Sequence, residues 1–141
     1  MDILFKRLSL DDVTLLQHEA DDVFDHCVDL EASKRFLGDP RNLLVVALVD
    51  DLVIGQIQAV VHEHLDAPPD LFIDNLGVAP AWRRRGVARR LISLALQSGR
   101  LFGAEEAWVL TEQDNHAAQA AYASAGATAR TTLMFSFQGC A

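Results

Sequence analysis

Arg83-Arg84-Arg85-Gly86-Val87-Ala88 lies between an apolar, strand-like run and a helix-like run whose first turn it forms. Unpaired N–H groups at a helix start, the positive end of the helix dipole and a glycine that lets a ligand approach together favour a pyrophosphate. The arginines add charge beside it. The alternative is an ordinary helix start with solvated arginines. No Gly-Lys-Ser/Thr ending follows, so this is not a P-loop, and G-x-G-x-x-G is absent. His62-Glu63-His64 puts two histidines on one strand face. No third ligand is evident in the sequence, so no metal is expected. Cys27 and Cys140 lack metal-ligand spacing and read as free thiols.

Charge narrows the partners. The formal net charge is −8, which repels phosphate backbones and anionic membranes and favours a cationic partner. Residues 1–31 hold nine acids against Lys6 and Arg7, whereas residues 79–104 hold six arginines and no acid. One end of the fold is suited to something anionic and the other to something cationic, provided both face one cleft; two solvated faces are the plainer reading. No apolar stretch is long enough to cross a bilayer and no export signal is read at the start. A cytosolic protein with one domain over residues 1–141 is expected.

The elements that must position these residues follow from periodicity. Residues 3–8 alternate weakly as a first strand, and 10–28 carry apolar residues at helical spacing. A short helix is predicted over 30–37, closed by Gly38 before Pro40. Residues 43–49 and 53–61 read as a hairpin, and 71–78 as the next strand of the meander. A helix runs from Gly86 to Leu101, then a strand over 107–111, an alanine-rich helix over 115–125 closed by Gly126, and a last strand over 131–137. This order predicts an α/β fold with a mixed sheet covered by helices.

Leu76-Gly77-Val78-Ala79-Pro80-Ala81-Trp82-Arg83-Arg84-Arg85-Gly86-Val87-Ala88 resembles the L-x-V-x-P-x-x-R-x-x-G-x-G/A signature of the GNAT acetyltransferase superfamily. Asn115, Ala118, Ala121, Tyr122 and Gly126 resemble its later N-x-x-A-x-x-x-Y-x-x-x-G pattern. The resemblance implies a mixed, mostly antiparallel sheet of six or seven strands with about four helices, and acetyl-coenzyme A as co-substrate. It places the cofactor in a wedge opened by a bulge between the strand ending near Val78 and the strand over 107–111. Backbone groups of Leu76, Gly77 and Val78 would hold the pantetheine arm and polarise the thioester, and those of Arg84 to Ala88 the pyrophosphate. Arg83, Asn115 and Ala118 join the cofactor-binding set by the same likeness. Tyr122 would protonate the departing sulfur.

An attacking amine must be neutral, so something must accept its proton. Asp74, in Phe72-Ile73-Asp74-Asn75-Leu76, resembles the acid-bearing strand position of polyamine acetyltransferases in this superfamily. Neighbouring strand residues face opposite ways, so whether Asp74 or Asn75 enters the cleft depends on the bulge. Within the superfamily the chain is most similar to the short aminoglycoside 3-N-acetyltransferases, at Asp22-Val23-Phe24-Asp25 and residues 72–78. That family usually places aspartate where this chain has Asn75, and an aromatic residue where it has Asp74, which leaves the base and the substrate open. Asp25, Asp70, Glu112 and Asp114 are further candidates for binding ammonium groups, with helix capping or solvation as equal alternatives. The resemblance thus implies acetyl transfer to a small cationic amine, foremost an aminoglycoside. A polyamine, amino acid or protein amine, and a non-catalytic acyl-coenzyme A sensor, are the competing readings. Pairing of the last strand across a two-fold axis would make a homodimer.

Overall fold

Residues Asn42–Val49 form a strand, β2, in which every residue from Leu43 onward is buried. A run that is apolar at successive positions needs cover on both faces, and the rest of the chain supplies it. The computed structural model describes residues 2–140. Before β2 come β1 (Leu4–Arg7), a 3-10 helix (Leu10–Gln17) and α1 (Leu30–Gly38). After it come β3 (Leu52–His62), β4 (Asp70–Val78), a 3-10 turn (Pro80–Trp82), α2 (Val87–Leu101), β5 (Glu106–Val109) and α3 (His116–Ser124). The sheet runs β1-β2-β3-β4-β5. The first three pairings are antiparallel and β4–β5 is parallel.

One face of the sheet packs against α2, whose Val87, Leu91, Ile92, Ala95 and Gly99 are buried at the spacing of one helical stripe. They meet Val45, Ile57, Ala59, Leu71 and Ile73 in the larger core. Gly99 lets α2 sit close, since a Cβ there would come within 3.0 Å of Leu71. The other face packs Leu44, Val46 and Val53 against Leu16, Val23 and Leu37. The β2–β3 hairpin closes through Asp50 and Asp51, both at positive φ (49° and 65°), the twist a two-residue turn requires.

Three sequence expectations are corrected. The helix expected over 10–28 is a 3-10 helix that ends at Gln17. Beyond it the backbone finds its partners on β3: Val53 N–H donates to His18 and Ala20 N–H donates to Val53. Asp22, at φ 63°, also falls outside helical backbone. The strand expected over 131–137 does not form, and the sheet has five strands rather than six or seven. Its alternating apolar residues have no neighbouring strand to bury them, so Leu133, Met134, Phe135 and Phe137 stay exposed. The strand expected over 107–111 stops at Val109. Among the described residues no helix is long and apolar enough to cross a membrane.

Candidate active site

In the β3–β4 register Ala59 pairs with Ile73 and Gln58 pairs with Asn75. Asp74 is therefore the extra residue of a β-bulge. On the other edge of β4, pairing with β5 covers only Asp70 to Ile73. β5 ends at Val109, opposite Ile73, so from Asp74 to Val78 this edge of β4 has no paired strand. Leu76, Gly77 and Val78 lie on this open edge, where the motif resemblance implies a wedge.

The open edge leads directly into the arginine-rich turn. Arg83 Nε donates to the Val78 carbonyl at 3.0 Å, which fixes the end of β4 against the turn. The Arg85 guanidinium lies over the Trp82 ring, 4.8 Å from its centroid. Arg84 and Gly86 have φ of 62° and 78°, and Gly86 caps α2 with no side-chain hydrogen bond at the cap. The first helical bond there runs from Arg90 N–H to the Gly86 carbonyl. The N–H groups of Val87, Ala88 and Arg89 thus precede the first closed helical turn. Backbone at positive φ followed by a helix start makes a concave nest of donors suited to phosphate oxygens.

On the opposite side of β4 lies a cavity of about 340 Å³, lined among others by Phe24, Asp25, Phe36, Gln58, Asp74 and Asn75. Both residues flanking the bulge step therefore border it. A line of amides runs beneath. Gln58 Nε2 donates to Gln56 Oε1 at 3.2 Å, Gln56 Nε2 donates to Asn75 Oδ1 at 2.6 Å, and Asn75 Nδ2 donates to Asp25 Oδ2 at 3.0 Å. Gln56 is wholly buried and donates also to the Val23 carbonyl at 3.1 Å, so each of its polar atoms is served. The network holds the loop carrying Asp25 over β4. Gly77 permits the close approach, because a Cβ there would overlap the Val23 carbonyl.

Tyr122 is half-buried on α3 and packs against the larger core. Burial pushes its phenol pKa above the ordinary value, which keeps the hydroxyl protonated as a donor. Asn115 caps α3, its Oδ1 accepting from Ala118 N–H at 3.1 Å. Asn115 and Ala118 thus act on each other and fix the helix that carries Tyr122.

The acidic candidates divide. Asp25 and Asp74 reach the cavity, whereas Glu112 and Asp114 lie exposed in the loop before α3 and do not line it. Asp70 sits at the far end of β4 beside His62 and His64. Sequence reasoning missed Gln56 and Gln58. Their signal was two polar residues on one face of an otherwise apolar strand.

The Acetyltransferase (GNAT) family model matches residues 7–127. No curated protein sequence matches the chain. An aminoglycoside acetyltransferase from an uncultured soil metagenomic sample, solved with sisomicin, superposes with a TM-score of 0.81 at 22% identity; the match covers 99% of this chain and 97% of that one. The aminoglycoside acetyltransferase AAC(6')-Iy, solved with the bisubstrate analog CoA-S-monomethyl-acetylneamine, gives 0.84 at 20% identity over 99% and 100%. A ribosomal-protein-alanine N-acetyltransferase from Brucella melitensis biovar Abortus 2308 gives 0.72 at 16% identity over 96% and 100%. At such identities the likeness speaks for the fold.

Proposed function

We propose that this chain, which belongs to the acetyltransferase (GNAT) family and takes its acetyl group from acetyl-coenzyme A, transfers it to an amine of an aminoglycoside-like polycation in the cytosol. The observation that carries the substrate class is the cavity bordered by Asp25 and Asp74 beside the opened stretch of β4. A cationic ligand gains there from two carboxylates while one of its amines reaches the wedge.

In this reading the N–H groups of Arg84 to Ala88 hold the pyrophosphate, and the β4 backbone at Leu76 to Val78 holds the pantetheine arm and the thioester carbonyl. Asp74 accepts a proton from the substrate ammonium, and the freed nitrogen attacks the carbonyl carbon. As the C–N bond forms, negative charge on the carbonyl oxygen is met by donors already in place. The C–S bond then breaks as the departing sulfur takes the proton of Tyr122, and the nitrogen gives up its second proton, which restores the phenol and leaves the neutral amide. Asp25, held by Asn75, binds a second ammonium of the polycation and does not move a proton.

Assays of coenzyme A release with sisomicin and other aminoglycosides, spermidine and a short peptide test the substrate class. Turnover of aminoglycosides well above the other amines is expected; turnover of spermidine or peptide alone would overturn it. The sequence likeness favours the 3-amino group, and NMR of the acetylated product distinguishes it from the 6′ position.

The reading extends to a homodimer. Leu133, Met134, Phe135 and Phe137 are 79%, 72%, 80% and 87% exposed, and β5 ends the sheet with Trp108 and Leu110 exposed. A second copy offering residues 131–137 to this edge would cover both. Light scattering on the full chain should give the dimer mass, and a chain ending at Arg130 the monomer mass. A monomeric full chain would end this part of the proposal.

A further inference from the structure

The β3–β4 turn, at the opposite end of β4 from the wedge, gathers three side chains with no part in acetyl transfer. His62 closes β3 and Asp70 opens β4, and they are cross-strand partners. His64 lies two residues beyond His62. Its Nε2 is 3.1 Å from Asp70 Oδ2, and His62 Nδ1 is 3.6 Å from Asp70 Oδ1. The two imidazoles lie 4.5 Å apart between ring centroids. Asp70 Oδ1 is buried and has no hydrogen-bond partner. A carboxylate oxygen that neither water nor a donor reaches is poorly satisfied, and here it points among imidazole nitrogens.

We propose that His62, His64 and Asp70 bind one divalent transition-metal ion, zinc by the character of the donors, which clamps the turn between β3 and β4. Two imidazole nitrogens and a carboxylate oxygen form a ligand set that zinc takes readily, with water or a further carboxylate completing the shell. The three ligand atoms lie within 4.8 Å of one another. A tetrahedral shell with bonds of about 2.0–2.2 Å sets ligand atoms roughly 3.4 Å apart, so a pair at the 4.8 Å limit closes by roughly 0.7 Å per side chain. Both histidines are partly exposed and have room for that rotation. Glu106 is the in-register neighbour of Asp70 on β5, though its carboxylate is not among the three clustered ligands, so water completes the shell. Glu63 and Asp66 in the turn deepen the negative potential that draws a cation.

The ion is structural. Asp74 lies four residues further along β4, roughly 13 Å at about 3.3 Å per residue, so acetyl transfer proceeds without it. The clamp joins the two ends of the segment holding Pro68 and Pro69 and ties it to the sheet.

The test uses tag-free chain carrying Cys27→Ser and Cys140→Ser, so that thiols contribute nothing, titrated with zinc chloride by calorimetry. One ion per chain with a Kd of about 10 µM or tighter is expected, together with a Tm that rises with zinc concentration. His64→Gln and Asp70→Asn should each weaken binding by about tenfold or more. Cobalt substituted for zinc should give the visible bands of a nitrogen and oxygen shell. In the otherwise native chain His64→Gln should leave coenzyme A release unchanged. Should Asp70→Asn fail to fold, His64→Gln, an exposed position, decides alone. A Kd in the millimolar range, or His64→Gln binding as tightly as its parent, overturns the proposal.

Discussion

Asn75→Asp exchanges one donor for one acceptor at a contact whose geometry is known. The Gln56 amide still finds an oxygen, because Gln56 Nε2 donates to Asn75 Oδ1. The other atom now sets a carboxylate oxygen 3.0 Å from Asp25 Oδ2, where an amide N–H stood. At that distance two unit charges repel by about 1.4 kcal/mol in water and about 5.5 at an effective dielectric of 20. The pair is exposed, so the lower part of this range applies, and with relaxation of the Asp25 loop a net cost of about 2 kcal/mol is expected. That cost equals a rise of roughly 1.5 units in the pKa of the pair. A carboxyl raised in the folded state destabilises above its folded pKa and has no effect below its unfolded one. The penalty should therefore be complete at pH 7, shrink through about pH 5.5 and vanish near pH 4. Urea denaturation of the native chain and Asn75→Asp at pH 7.5 and near pH 4 reads it, with Asn75→Ala as the control that loses the bond without adding charge. A deficit equal at both pH values, or no deficit at pH 7.5, would show that Asn75 does not hold Asp25.

Tyr122→Phe should lower kcat by about 100-fold with the KM for acetyl-coenzyme A nearly unchanged, the signature of a lost proton donor. Because burial raises the Tyr122 pKa, steady-state rates in the native chain should show no alkaline fall from this group below about pH 10. Gly77→Ala drives a methyl into the Val23 carbonyl and should cost about 1–3 kcal/mol, measured by denaturation, with a raised KM for the amine as the Asp25 loop is pushed away. Glu19 has its pKa raised by burial, and its Oε2 is buried without a partner. Its ionised form is therefore a cost, present above the folded pKa and absent below the unfolded one. Glu19→Gln should raise Tm at pH 7 and leave it unchanged below about pH 4.

The elements that sequence periodicity located were those whose partners are near in the chain. β2, β3, β4 and α2 fell within a residue or two of their expected bounds, because apolar spacing and the turns at Asp50 and Gly38 are local signals. The helix expected over 10–28 failed for the complementary reason. Its apolar spacing is real, but the backbone of His18 and Ala20 bonds to Val53, a contact no local pattern announces. Residues 131–137 alternate as a strand should, yet a strand exists only where another lends its edge. The turn that starts α2 was legible because glycine and arginine types mark it. The amide line from Gln58 to Asp25 was not, since it joins residues up to 50 positions apart.

The bulge at Asp74 links these features causally. Ile73 and Leu76 both pack on the α2 side, although two residues separate them and strict alternation would send them to opposite faces. Without the bulge, with Asp74 taken into regular alternation, Asn75 and Gly77 would point under α2. An amide would then lie buried among Leu71, Leu91 and Ile57 with no partner, at a cost of about 1–3 kcal/mol, and Leu76 would face the cavity. With it, Asn75 meets Gln56 and Asp25, and Gly77 meets Val23. The same residue marks where β5 leaves β4, since pairing ends at Ile73. Asp74, carried in the bulge, thus sits where β4 loses its β5 neighbour and where Asn75 turns to the cavity that Asp25 borders.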